Sequence, residues 1–528
     1  MDQYSDQTQD RTQPNAPDAG LATISGRTTD ETLAPYAAKE SSTAVTASTS
    51  ARPVALPSAA GRHVLNRFSW GITPGLARAV AGGKHLAWFD AQLAPARIKD
   101  GPGSRADRWW PDLRRTPLDQ WMRYRDGTKS NWDMYYEHGQ WVMAKRLLSN
   151  RQLLEVMTAF WENHLHVPLT TDGHFVWRPS YARLIRKHAL GRFDQMLAEA
   201  TLHPAMLCYL DAAISTKIAP NENLGRELLE LHTVGVDHYS ERDVKSSAAI
   251  LTGWRVDIND TWQRLYVPEY HATGAVRVGS FRSANRSSDG RAVTRQYLHY
   301  LAHHPDTARH LATKLATAFV SDDPPRTLVT QLAKVYLDAD TRIAPVLRTL
   351  VRSKQFRGSV DEKLRTVDED LLATFRALRM KVTGHVDGNS GTGVLRSWTG
   401  SLGLSTGSWP APNGAPLTAD YYATPLRALA SVSAHWSVAN RWYPTQDTVY
   451  RTPDSWLPAL PATFRQICER MCRELLYRPL NARLLTAMAT AAQVSDVDES
   501  LSADSIVVRY RLNAMLAALL DSPEHYAR

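Results

Sequence analysis

Between Asn221 and Gly235 the chain sorts its apolar and polar positions into separate stripes. At about 100° per residue, Leu224, Leu228 and Leu231 fall on one face of a helix, with Asn223, Glu227 and Glu230 on a second stripe beside it. Asn221, after Pro220, is placed to cap the start, and Gly235 to take the left-handed turn that closes the end. The same reading along the chain predicts helices over 86–93, 141–148, 153–165, 181–190, 193–202, 292–301, 307–320, 327–337, 343–351 and 362–378. Thr73-Pro74 opens one more, and Ser240 with Asp243 forms a capping box that opens another running to Leu251.

Two stretches break the helical period. From Trp254 to Arg282, residues Trp262, Leu265, Val267, Val276 and Val278 alternate with polar ones and Gly274 and Gly279 punctuate, which predicts a small β excursion. Residues 382–417 are rich in Gly, Ser, Asn and Pro and read as a connection or binding loop. The fold class expected is all-α: a multi-helix globular bundle with a small β or loop excursion near 254–282. A tail over 1–55 has the composition of a disordered segment. Behind it come a main helical domain over 56–381, the connection over 382–417 and a C-terminal helical part over 418–528.

Composition narrows the function classes. Hydrophobic residues make up 43% of the 528-residue chain and charged residues 22%, as in ordinary globular proteins. No apolar run reaches the ~18 residues of a membrane span. The net charge of +9 comes from arginines scattered in short groups, such as Arg183, Arg186 and Lys187, so no nucleic-acid partner is expected. Three cysteines exclude a disulfide framework; Cys468 and Cys472, four apart on a helix, read as core thiols. The tail has no basic start followed by an apolar stretch, which gives a cytoplasmic location as the expectation.

Several segments together resemble a bacterial family, the one called domain of unknown function 1800. They are His63-Val-Leu-Asn-Arg67 with Trp70-Gly71, Phe160-Trp-Glu-Asn-His164, Arg186-Lys-His-Ala-Leu-Gly191 and the run from Pro220 to Gly235. Ala248 to Trp254, His271 to Gly274, Phe319 to Pro325 and Trp409-Pro-Ala-Pro-Asn-Gly414 complete the set, which spans about residues 60–440. The resemblance implies no established reaction. It does imply export in many members, the alternative to a cytoplasmic location, and a protein of alkaline-phosphatase-like fold as a partner. Where the family has a His-Asp pair, this chain has His271-Ala272.

The candidate chemistry lies in the polar stripe and its neighbours. Glu227 and Glu230 project together at the edge of a core face, so burial demands cations, donors or a metal beside them. His232 projects roughly 140–160° away. On the preceding helix, Glu155, Glu162 and His166 share a face if helical geometry holds to Pro168, and Glu162 with His166 is an i, i+4 pair. His164 faces elsewhere but belongs to the resembling motif, and His188 lies on the next helix. Three readings follow. Glu162, His166, Glu227 and Glu230 could hold a divalent metal ion, the one cofactor considered. Glu162, His164, His188, Glu227 and Glu230 could form a metal-free acid–base site for a small-molecule substrate. The same groups could instead be a structural network with Arg183, Arg186 and Arg226 in a non-catalytic scaffold or binding partner. Trp398, Trp409, Trp436 and Trp442 are candidates for an aromatic pocket.

Overall fold

Local capping explains most of the helix starts. In the computed structural model, which describes residues 54–169, 173–385 and 388–528, Thr73 Oγ1 accepts from Leu76 N at 3.3 Å and opens the helix Pro74–Val80. Ser240 and Asp243 close the expected reciprocal box ahead of the helix Glu241–Leu251. A second box, Thr366 with Glu369, starts the helix Val367–Ala377. The helix predicted over 362–378 therefore begins only at Val367, and a separate short helix, Lys354–Gly358, precedes it. Apart from residues 54 and 55, the tail expectation lies outside the described residues.

Helices dominate the fold, as the apolar periods require, and the β excursion is real. Trp254–Val256 pairs antiparallel with Arg264–Tyr266, and Val276–Val278 with Phe281–Ser283. Two further pairs, Lys381–Val382 with Thr448–Val449 and Ala462–Thr463 with Ser500–Leu501, are only two residues long, too short for alternation to show in sequence. No helix of the described residues is long and apolar enough to cross a membrane.

Two further elements differ from expectation in kind. The connection over 382–417 contains a helix, Gly391–Ser401, capped by Ser390 Oγ accepting from Gly393 N at 3.1 Å. Its glycines and serines give it a loop's composition, but Val394 and Leu395 bury one face. The helix opened by Asn221 stops at Glu227, and Leu228–His232 forms a π-helical turn. Thr233 Oγ1 donates to Leu228 O at 2.6 Å and Gly235 N to Leu229 O at 3.0 Å, which close the widened end.

The side chains assemble two principal apolar cores. The larger takes residues from Val64 to Phe356, with Tyr477 added from the C-terminal part. The second takes Val367 to Leu520, with Trp70, Met143 and Leu147 added from the N-terminal part. These exchanges lock the two together. Gly71, at φ +125°, is where they touch: a Cβ there would stand 2.7 Å from Ala373 Cα. The buried Arg376 spans the same seam, donating to Gly71 O at 2.8 Å and to Leu147 O at 2.6 Å.

Candidate functional site

A cavity of about 180 Å³ opens beside that seam. Its apolar walls include Trp70, Phe160, Phe319, Leu404 and Trp409. Its polar lining comes from the helix Asn131–Leu148 (His138, Arg146), the helix Gln152–His164 and its exit (Glu162, Asn163, His166), the helix Arg178–His188 (Arg178) and the 366–369 turn. The segment 404–417 covers one side and is bonded to the exit of the Gln152–His164 helix. Asn163 Nδ2 donates to Ala415 O at 2.9 Å while Ala415 N donates to Asn163 Oδ1 at 2.7 Å. Leu169 N donates to Gly407 O at 2.8 Å. Gly414, at φ +73°, lies so close that a Cβ would fall 2.0 Å from Asn163 O.

The charged groups of the lining are mostly paired. Arg146 bonds Asp368, and Arg528 bonds Glu369. The pair that remains loose is Glu162 with Arg178, at 3.6 Å. Arg178 is fully buried, which lowers its pKa, and among the described residues its Nε and Nη1 have no hydrogen-bond partner; neither has Glu162 Oε1. His138 is fully buried as well, with neither ring nitrogen partnered among the described residues. Burial first, then the nearby Arg178, Arg183 and Arg146, hold its pKa far below the usual value, so it is neutral. His166 Nε2 meets Trp409 O at 2.7 Å; a carbonyl only accepts, so that nitrogen carries the proton. Burial lowers its pKa to about 4.

The predicted site residues separate into four places. Glu162 and His166 both line the cavity, although not by the route expected. The helix ends at His164, Leu165 leaves helical geometry, and the i, i+4 relation that would put Glu162 and His166 on one helical face is absent. Glu227 and Glu230 lie elsewhere, beside one another as the stripe implied. Tyr239 OH donates to Glu230, while Arg226 bonds Glu241 and Glu222 rather than Glu227. Asn223 is exposed. His188 pairs with Glu199 at 3.1 Å, and Glu155 with Arg186. Among the described residues, Glu162, His166, Glu227 and Glu230 form no group of converging donor atoms; the groups that do are Asp194, His299, His303 and Asp370, His435, His525.

His164 belongs to a separate buried cluster. Its Nε2 lies 3.2 Å from His232 O, and its ring faces those of His232 and His310 at 6.2 and 5.9 Å. His232 does turn away from the two glutamates, into the core, where neither of its nitrogens is partnered. Burial lowers its pKa to about 3, with Lys314, His310 and His166 adding repulsion.

Glu227 gives a direct test of the stripe. Burial and then the neighbouring Glu230 raise its pKa against a smaller opposing effect of Arg226, and among the described residues no basic group bonds it. A carboxylate with a raised folded pKa costs stability once pH exceeds that value and costs nothing below the unfolded one. Glu227→Gln is therefore expected to leave the melting temperature unchanged or higher at neutral pH and to have no advantage in acid. A loss of several degrees at neutral pH would show a stabilising partner for that carboxylate.

His138 and Arg178 were not legible in the sequence. His138 sits in a polar and aromatic run with no metal or catalytic spacing around it, and Arg178 was one arginine among many. Of the four tryptophans considered for a pocket, Trp409 reaches the cavity; Trp436 and Trp442 are exposed and Trp398 packs on the second core.

Fold and site together define a helical protein with an interior cavity, an apolar body and an incompletely satisfied polar end. The family described as protein of unknown function (DUF1800) matches residues 63–527, nearly the whole chain, and the protein belongs to it. The match reaches past residue 440 to include the second core. No curated protein and no solved structure matches the chain.

Proposed function

We propose that the protein is an enzyme acting on a small molecule that carries an anionic group, bound in the cavity, and that its chemistry is proton transfer through Glu162 and His138. One observation carries this reading: His138, Glu162 and Arg178 all line one cavity, and all keep buried polar atoms without a partner among the described residues. Each such atom costs about 1–3 kcal/mol, and a ligand that meets them recovers that cost. Arg178 supplies free N–H donors for an anion. The neutral His138 imidazole and the Glu162 carboxylate line the same cavity, which gives it one group able to give a proton and one able to take it. The aromatic walls suit an apolar body and keep water away from the polar end.

A panel of small aliphatic and aromatic carboxylates, scored by thermal shift and by solvent-deuterium incorporation into the ligand, tests this. A carboxylate at 100 times its dissociation constant stabilises by about 2.7 kcal/mol. Arg178→Gln is expected to abolish the shift, and Glu162→Gln to keep the shift but lose deuterium exchange. Arg178→Gln should also keep or raise the melting temperature of the free protein, since it removes an unsatisfied buried cation. In a purely structural network the same change would cost about 3–5 kcal/mol by stranding Glu162. No response to any carboxylate, or that stability loss, sinks the proposal.

A second reading, a binding partner without catalysis, is favoured by the helix Pro425–Ala439. Leu426, Leu429, Val432 and Trp436 form an exposed apolar stripe on it, with Trp442 beside it.

A further inference from the structure

Behind the cavity wall, three segments of the second core bring metal-ligating side chains to one point. Asp370 and Thr374 are one turn apart on the helix Val367–Ala377, His435 comes from the helix Pro425–Ala439, and His525 from the short helix Pro523–Tyr526. None of the four is more than 4% exposed. Asp370 Oδ1 lies 3.2 Å from His435 Nε2 and 3.6 Å from His525 Nε2. Thr374 Oγ1 lies 3.1 Å from His435 Nε2 and 3.0 Å from His525 Nε2.

We propose that Asp370, Thr374, His435 and His525 form a closed structural Zn²⁺ site, with Asp521 orienting His435. The spacing supports it. Four ligands placed tetrahedrally at zinc bond lengths stand roughly 3.3 Å from one another, and the four measured separations bracket that value. Charge-assisted hydrogen bonds between an imidazolium and a carboxylate are shorter, about 2.7–2.9 Å. That shorter distance does occur on the far side of the same ring, where His435 Nδ1 meets Asp521 Oδ1 at 2.7 Å. A carboxylate holding the outer nitrogen of an imidazole while the inner nitrogen faces the centre is the arrangement by which proteins orient metal-bound histidines. The second oxygen of Asp370 is held apart by Ser431 Oγ at 2.7 Å and by Arg427 at 3.5 Å. One carboxylate and two imidazoles are a donor set suited to zinc, the Thr374 hydroxyl takes the fourth position in place of water, and the lack of solvent access makes the site structural. Thr366 to Glu369, the residues just before Asp370, line the cavity, so the ion would fix that wall from behind.

The competing occupant is a proton. Burial opposes charge on His435, yet Asp370 and Asp521 outweigh it and raise its pKa to about 9, so a protonated imidazole can hold the cluster without an ion. Metal analysis separates the two. Protein purified without a metal-affinity tag and dialysed is expected to carry about one zinc per chain. His435→Ala and His525→Ala are expected to lose it. Should those variants fail to fold, the parent decides alone: refolded from chelator with Co²⁺, it should show the intense visible bands of a four-coordinate site. Folded parent with neither stoichiometric zinc nor cobalt bands overturns the proposal in favour of the protonated cluster. Zinc retained by both histidine variants overturns it too, by placing the ion elsewhere. Neither measurement reads the cavity, so this outcome is independent of the enzyme proposal.

Discussion

Acidifying the protein below about pH 6.5 is expected to destabilise it steeply, through histidines buried in the neutral form. His164 and His232 are the centre of this effect. Both have pKa values depressed first by burial, His232 to about 3; Lys314 and His310 act on both, His232 on His164 and His166 on His232, with no carboxylate among them. In the unfolded chain both imidazoles take up a proton near the usual value of 6.5, whereas in the fold they stay neutral. The unfolded state therefore binds more protons between that value and the folded one. Stability is complete above about pH 6.5 and falls as the pH drops, at about 1.4 kcal/mol per pH unit for each histidine. The two together contribute about 2.7 kcal/mol per pH unit, to which His138 and His166, depressed by burial in the same way, add. Denaturant unfolding at a series of pH values measures the slope directly. His232→Gln, which cannot titrate, should lower it by about half of that amount. An unchanged slope in that variant would mean His232 is charged in the folded state.

Leu228→Ala is expected to be the most damaging conservative change in the resembling run Pro220–Gly235. Leu228 is fully buried in the larger core, at the first position of the π-helical turn. Truncating such a leucine costs about 2–5 kcal/mol, the spread reflecting how far neighbours can collapse into the space. Collapse is restricted here, because Gly225 already brings this helix against the next: a Cβ on it would lie 2.9 Å from Ala248 N. The upper part of the range is therefore expected. A melting temperature within a degree of the parent would mean that the side chain does not fill the core.

What the sequence could reveal depends on how local the determining interactions are. Helix starts at Thr73, Asn221 and Ser240 were readable because cap and helix lie within four residues of each other. Leu224 and Leu228 of the predicted stripe, and the pair Glu227, Glu230 at its edge, were readable for the same reason; Leu231, expected on the same face, is only half-buried, and Leu229 is buried instead. The widened turn at Leu228–His232 was not, since a projection at a fixed angle per residue assumes the α-helix it is meant to detect. The helix Gly391–Ser401 was hidden by glycines that composition assigns to loops. The cavity is non-local altogether. His138, Glu162, Arg178, Phe319, Asp368 and Trp409 come from six separate stretches of chain, and no spacing rule connects them. The resemblance came closest: Phe160, Glu162 and Asn163, then Phe319, then Trp409 lie in three of the segments that carry it, and all line the cavity.

The amide of Asn163 imitates a neighbouring β-strand, serving both the N–H and the C=O of Ala415. An aspartate of the same shape could receive the N–H but would set an anion against the carbonyl. Gly414 completes the constraint from the other side, since any side chain there would collide with the peptide oxygen of residue 163. Two positions 251 residues apart in sequence thus hold one contact. Among natural variants of this fold both are expected to stay unchanged, Asn163 because its amide serves both backbone groups of Ala415, and Gly414 because any Cβ meets a peptide oxygen that every residue at position 163 carries.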